Sequence, residues 1–171
     1  MLMVVFQLGD ERYAVQADCV IEIVPILSVT PAPQAPDYVS GLFNYKTHVT
    51  PVIDLCQLAL RRPCRQLLSS RIILVDYDRV LGRTDVAPGS ARVLGLMAER
   101  VTEICKRPPT VAAAPLAIAQ APYLAGIFYT GAEMNQCMDL SALLPASVRE
   151  MLYTQVAPSE AGPGGMVTHV A

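Results

Sequence analysis

The sequence predicts an all-β protein made of two similar five-stranded barrels in tandem, and three observations predict it. Residues 38–55 (YVSGLFNYKTHVTPVIDL) return as residues 123–140 (YLAGIFYTGAEMNQCMDL), with Tyr, Gly, Phe, Asp and Leu in the same places. Short β-branched and apolar runs alternate with turn residues, the pattern of strands rather than helices. Two proline-containing connectors, 25–36 and 107–122, fall at matching points of the two halves, where neither a helix nor a central strand can continue.

Taken in order, residues 4–8 and 12–15 flank Gly9-Asp10-Glu11 and read as a tight hairpin. Residues 16–19 are a polar break. Residues 20–24 (VIEIV) are strand-like, and alternation puts Glu22 on the face of Val20 and Val24. A carboxylate there must lie on an edge or be paired. Beyond the first connector, 41–45 and 49–53 read as two strands joined around Lys46-Thr47-His48. Asp54 then caps a short helical turn over 55–60. Residues 61–70 are polar and turn-like, 72–75 a buried-type strand, 76–90 a long polar loop and 93–97 another strand. Residues 101–104 (VTEI) echo 20–23 (VIEI). Residues 141–153 carry helix signals, with Ser141 as cap and Pro145 at the first turn of a second piece. From Thr154 onward the Gly-, Pro- and Ala-rich sequence reads as a disordered tail.

Glu22 and Glu103 stand 81 positions apart, and Gly41–Gly126 and Asp54–Asp139 each 85. Such a period exceeds the roughly 20–50 residues of solenoid repeats and fits two copies of a five-stranded unit. Short twisted strands with glycine at sharp bends close into a barrel, which removes exposed edges. Gly41 and Gly126 are expected where a strand bends or another backbone comes close. Residues 1–153 read as a single domain. Its subdomains cover about 16–68 and about 69–140, with the N-terminal strands exchanged or shared.

Composition narrows the function. Hydrophobic residues make up 53% and charged residues 16%, more apolar than an ordinary soluble domain. No apolar run approaches the ~18–20 residues of a membrane span. The opening MLMVVFQLGDER lacks a basic region and a cleavage site, and reads as a strand rather than a signal peptide. The expectation is a cytoplasmic protein whose surplus apolar surface is core or partner surface. Net charge is −2 and pI about 5.6. Only Arg61, Arg62 and Arg65 form a loose basic group, which argues against nucleic-acid binding. The five cysteines (19, 56, 64, 105 and 137) show no CxxC pair, and His48 and His169 lie far apart. No metal site, cofactor or disulfide is expected. There is no G-x-S-x-G, P-loop or G-x-G-x-x-G. Asp54 and Asp139 are better read as helix caps than as a catalytic pair. What remains is a non-enzymatic binding module, with a groove between two barrels.

FQLGDERYAV, VIEIVP, APDYVSGLFN and THVTPVIDL in the first half, with RIILVDYDR, VLGLMAERVTEI, YLAGIFY and MDLSALL in the second, resemble the CheW-like adaptor family of bacterial chemosensory systems, over about residues 4–144. The resemblance implies two tandem five-stranded SH3-like β-barrel subdomains packed together, with a short C-terminal helix. It also implies a non-enzymatic scaffold that binds two partners. One is the regulatory domain of a chemosensory histidine kinase. The other is the cytoplasmic hairpin tip of a chemoreceptor, held in the groove between subdomains. Such a protein is recruited to membrane receptor arrays without inserting into the bilayer. Carried over, Val20 and Glu22 fall on the family's partner-binding strand and Gly41 on its characteristic glycine. Lys46 stands at its usual arginine, and Val101 in the second-subdomain strand facing the groove. The family's Asn-Leu-Arg-Gly is here Asn44-Tyr45-Lys46-Thr47. Lysine lacks the planar fork of arginine, and threonine tolerates positive φ poorly. The turn should therefore differ in shape, with a Glu22–Lys46 ion pair replacing Glu–Arg. With the long loop 76–90, this points to a specialised or surface-sensing pathway. The alternative is a cytosolic β-barrel enzyme or a ligand-binding module unrelated to chemotaxis.

Overall fold

The computed structural model describes residues 1–107 and 121–154. Most of the second connector, and the expected tail of 154–171 apart from Thr154, which ends a helix, lie outside the described residues. β1 (Leu2–Leu8) and β2 (Glu11–Gln16) form the expected hairpin around Gly9-Asp10. A 3-10 turn, Ala17–Cys19, leads into β3 (Val20–Pro25). β4 (Val39–Tyr45) and β5 (His48–Asp54) make the next hairpin, followed by α1 (Leu55–Leu60). Asp54 caps α1 as expected, accepting the Gln57 N–H at 3.0 Å.

β6 (Arg71–Asp76) runs into α2 (Tyr77–Val80), so the start of the expected polar loop is helical. Asp76 caps it, accepting the Arg79 N–H at 3.0 Å. Asp78 anchors it, accepting the Arg92 N–H and Nε, each at 2.8 Å. The separate strands expected over 93–97 and 101–104 are one strand, β7 (Val93–Lys106), bent at Arg100, where φ is 46°. Pairing explains the continuity. Residues 93–98 bond to β6, and the far half bonds to β1, so hydrogen-bond partners exist on both sides of the bend. β8 (Leu124–Thr130) and β9 (Glu133–Met138) repeat the β4–β5 hairpin. A 3-10 turn, Leu140–Ala142, and α3 (Ala146–Thr154) follow. The cap of the 3-10 turn is Asp139 rather than Ser141. Its carboxylate accepts the Ser141 N–H at 2.9 Å and the hydroxyl at 2.6 Å.

The strands run β3-β6-β7-β1-β2-β9-β8, with β5 beside the first half of β7 and β4 beside β5. β7 thus belongs to two five-stranded groups: β3-β6-β7-β5-β4 through its first half and β7-β1-β2-β9-β8 through its second. Each group draws strands from both copies of the repeat. The first closes on itself where Thr30 and Leu42 exchange backbone hydrogen bonds of 2.8 and 2.7 Å. Gly41 sits at that crossing with φ +152°. A Cβ there would lie 2.5 Å from the Thr30 carbonyl oxygen and 2.9 Å from Val29 Cγ2, so the crossing requires glycine. Gly126 has the same φ, and a register shift accompanies each glycine.

β1 is covered on both faces. Val4, Phe6 and Leu8 point into the main core with Ile53, Leu55, Ile72–Val75, Leu94 and Leu96. Met3 and Val5 point into a second core with Ala14, Phe128 and Cys137. α3 is pinned to the main core by Tyr153, which stacks on Tyr77 at 5.6 Å and donates its hydroxyl to the Val93 carbonyl at 2.9 Å.

Candidate partner-binding site

β3 is an outer strand of the first group, hydrogen-bonded as a strand to β6 alone among the described residues. Its register shifts between Val20 and Glu22, a bulge that re-aims the side chains. Val20 is half-buried opposite Val75, while Ile21 (45%), Glu22 and Ile23 (37%) are all exposed. Exposed branched residues on an outer strand are unusual unless something covers them.

The β4–β5 turn reaches this strand. The Tyr45 hydroxyl donates to the Glu22 carboxylate, and the Lys46 ammonium stands over the Tyr45 ring, 5.2 Å from its centroid. The expected Glu22–Lys46 ion pair does not form. Tyr45 reaches the carboxylate, and Lys46 takes the face of the ring, a cation–π contact. The bond to Glu22, and lesser burial, raise the pKa of Tyr45 above the usual tyrosine value. Positive φ falls on Lys46 (55°) rather than on Thr47; its counterpart in the second copy, Gly131, has φ 61°. The family-derived residues therefore separate. Glu22 and Lys46 meet through Tyr45, Val20 lies beside them on β3, and Gly41 shapes the hairpin from behind. Val101 stands apart, half-buried just beyond the β7 bend, its N–H donating to the Ser69 carbonyl at 3.0 Å.

Tyr45, Ile21 and Ile23 were not among the residues singled out by sequence. The departure from the family turn was the available signal for Tyr45. Glu103, the repeat counterpart of Glu22, behaves differently. It accepts from Arg12 at 2.7 Å within its own group of strands, and Arg12 also donates to Asn135 at 3.0 Å.

Two further features frame the site. A cleft of about 350 Å³ opens where the 3-10 turn Ala17–Cys19 and α2 face β8 and β9. Its lining mixes Met3, Val80, Met138 and Leu140 with Gln16, Asp18, Arg79 and Asp139, so it is polar as well as apolar. Burial, with Asp18 adding, pushes the Cys19 thiol there up to about 11, and burial also raises Cys137. Neither is a ready nucleophile. The β7 bend is held by Glu99, which accepts from Arg62 Nη1 and from the Arg65 N–H, each at 2.8 Å. Arg62, from the loose basic group, is thus half of a largely buried pair.

Comparisons with known proteins agree with this architecture. The CheW-like domain profile matches residues 2–148. A chemotaxis protein CheW of Treponema pallidum is 30% identical over 155 residues, covering 88% of this chain and 85% of its own. That of Klebsiella aerogenes is 30% identical over 156 residues, covering 91% and 87%. Among solved structures, the scaffolding protein TtCheW of Thermoanaerobacter tengcongensis superposes with a TM-score of 0.70. It is 28% identical, and the match covers 88% of this chain and 92% of that one.

Proposed function

The chain belongs to the CheW-like domain family, and from that premise we propose that it is a scaffold coupling chemoreceptors to a CheA-type histidine kinase, with no reaction of its own. The observation that carries this reading is the family match across residues 2–148, from β1 into α3.

Under this reading the exposed end of the first barrel receives the regulatory domain of the kinase. Glu22, Tyr45 and Lys46 supply the polar anchors there, and Ile21 and Ile23 the apolar contact. Val20 and Gly41 set the shape of that surface. The receptor's hairpin tip lays one helical face into the cleft between the strand groups. Val101, beside the β7 bend, senses that contact through the strand. Receptor state then biases kinase state by differential contacts, and β7, which pairs with strands of both groups, links the two groups. No helix among the described residues is long and apolar enough to cross a membrane; recruitment to the array would come from the partners. The Asn44-Tyr45-Lys46-Thr47 turn suits a specialised pathway whose kinase carries a matching surface.

The test is a pair of titrations of the purified protein, against the regulatory domain of each chemosensory kinase of the same genome and against receptor tip peptides. Saturable binding to both, with Lys46→Glu weakening the kinase arm alone, is expected. Binding to no kinase and no receptor would overturn the adaptor reading. Unchanged kinase affinity in Lys46→Glu would overturn the proposed surface.

A further inference from the structure

Below the first barrel's helix cap, sulfur and oxygen donors converge in a way the adaptor reading does not use. Asp54, Cys56 and Cys64 are all buried, and one ligand atom from each lies within 4.8 Å of the other two. Asp54 comes from the end of β5, Cys56 from α1 and Cys64 from the following loop. The Asp54 carboxylate already orders this loop, accepting the Cys64 N–H at 3.0 Å through Oδ2.

Capping explains the aspartate but not why two thiols meet at it. In the second copy, Asp139 caps its turn with the hydroxyl of Ser141, which stands at the repeat position of Cys56. There the cap is exposed, and among the described residues no second side chain hydrogen-bonds to it. In the first copy the cap is buried, and two thiols meet at the carboxylate.

We propose that Asp54, Cys56 and Cys64 form a binding site for a thiophilic divalent cation of the zinc class. Two thiolates and a carboxylate are the donor set of a borderline-soft ion, not of calcium or magnesium. Tetrahedral zinc, with bonds of about 2.3 Å to sulfur and about 2.0 Å to oxygen, holds its ligand atoms roughly 3.5–3.8 Å apart. From a spacing of at most 4.8 Å, the three donors need to draw in by up to about 1.3 Å. The fourth position is left to water or to the Met97 carbonyl, which lies 3.4 Å from Cys64 Sγ.

The charge balance also suits the exchange. One M²⁺ enters, two S–H bonds break, and two protons leave to solvent, so the buried cluster keeps its net charge. The ion would tie the loop after α1 to β5 and to the β7 residues beside it, the same loop whose Arg62 and Arg65 hold Glu99.

The test is a titration of the reduced, chelator-cleared full chain with Co²⁺, followed by displacement with Zn²⁺. One Co²⁺ per chain with thiolate-to-cobalt absorption is expected, lost on adding Zn²⁺. Releasing two protons makes the affinity rise about 100-fold per pH unit while the thiols remain protonated. The double variant Cys56→Ser/Cys64→Ser should lose the band, and Cys19→Ser, Cys105→Ser and Cys137→Ser should keep it. If the double variant fails to fold, X-ray absorption of the zinc-loaded wild type decides, with two sulfur neighbours expected. Absence of uptake, fewer than two sulfur neighbours, or a Cys56–Cys64 disulfide formed in air by a protein that takes up no metal would each overturn the site.

Discussion

Glu99 marks the place where β7 passes from one strand group to the other, and Glu99→Gln tests whether its ion pair fixes that passage. The Glu99 side chain is 2% exposed and that of Arg62 32%. Burial by itself would raise the carboxyl pKa. The Arg62 hydrogen bond, the Arg65 N–H and the Cys56 thiol outweigh burial and hold it at about 2, against an ordinary 4.5. A carboxylate lowered in this way contributes stability that is complete above pH 4.5 and lost as pH falls through about 2. The full difference corresponds to about 3 kcal/mol, and water at the Arg62 end screens it to about 1–2 kcal/mol. Glutamine has the same shape, keeps an oxygen acceptor for Arg62 and the Arg65 N–H, and does not titrate. The wild type should therefore exceed Glu99→Gln by about 1–2 kcal/mol at neutral pH, with the gap closing between about pH 4.5 and 2. Urea unfolding followed by far-UV circular dichroism across that range measures the gap directly. A gap that stays constant down to pH 2.5 would refute the ion pair as its source. No gap at neutral pH would refute any role for the charge.

The two capping aspartates should differ in the same assay. Asp54→Ala strands the buried Cys64 N–H and should cost about 2–3 kcal/mol, whereas Asp139→Ala, at an exposed cap, should cost about 1; equal losses would contradict the burial argument. Gly41→Ala forces a Cβ against the Thr30 carbonyl at an unfavourable φ and should destabilise by about 2–4 kcal/mol in thermal or urea unfolding, with a near-neutral effect ruling out the close approach. Lys46→Gly relieves a left-handed residue and should stabilise by up to about 1 kcal/mol while weakening kinase binding. A variant that is both more stable and fully competent would separate Lys46 from the partner surface.

Local features of this fold were legible in the sequence because their causes are local. Gly9-Asp10 turns a hairpin, Asp54 begins a helix, and the prolines of 25–36 exclude regular structure by their own chemistry. The glycine pair Gly41/Gly126 was legible because the chain repeats itself. Features set by pairing were not. Nothing near residues 98–100 says that β6 and β1 will offer hydrogen bonds on both sides of a bend, and so a single β7 was read as two strands. The loop 76–90 hid α2 because its anchor, Asp78 to Arg92, closes over fourteen residues. At the site, charge alone favoured Glu22–Lys46. The backbone decided otherwise, since the left-handed Lys46 places its ammonium over the Tyr45 ring and leaves the hydroxyl to the carboxylate. Cys56 and Cys64 have no motif spacing, and only the turn after α1 brings them together.

The pairing pattern also bears on how such a protein can serve two partners at once. Were each copy of the repeat a separate barrel, the two proposed partner surfaces could shift relative to one another at small cost, because only an interface would hold them. Here β3 hydrogen-bonds to β6 and β1 to the far half of β7, so each group of strands needs residues from both copies. Sliding one group past the other would break backbone hydrogen bonds in a buried setting, where an unpaired N–H or C=O costs about 1–3 kcal/mol. β1 adds a second constraint, since its two faces fill two different cores and a one-residue slip would exchange them. The distance between the Glu22–Tyr45–Lys46 surface and the cleft is therefore set by the hydrogen-bonded sheet itself. A scaffold that relays a partner's position needs that rigidity, and the Glu99–Arg62 pair sits at the bend where a strand running through both groups would otherwise be free to flex.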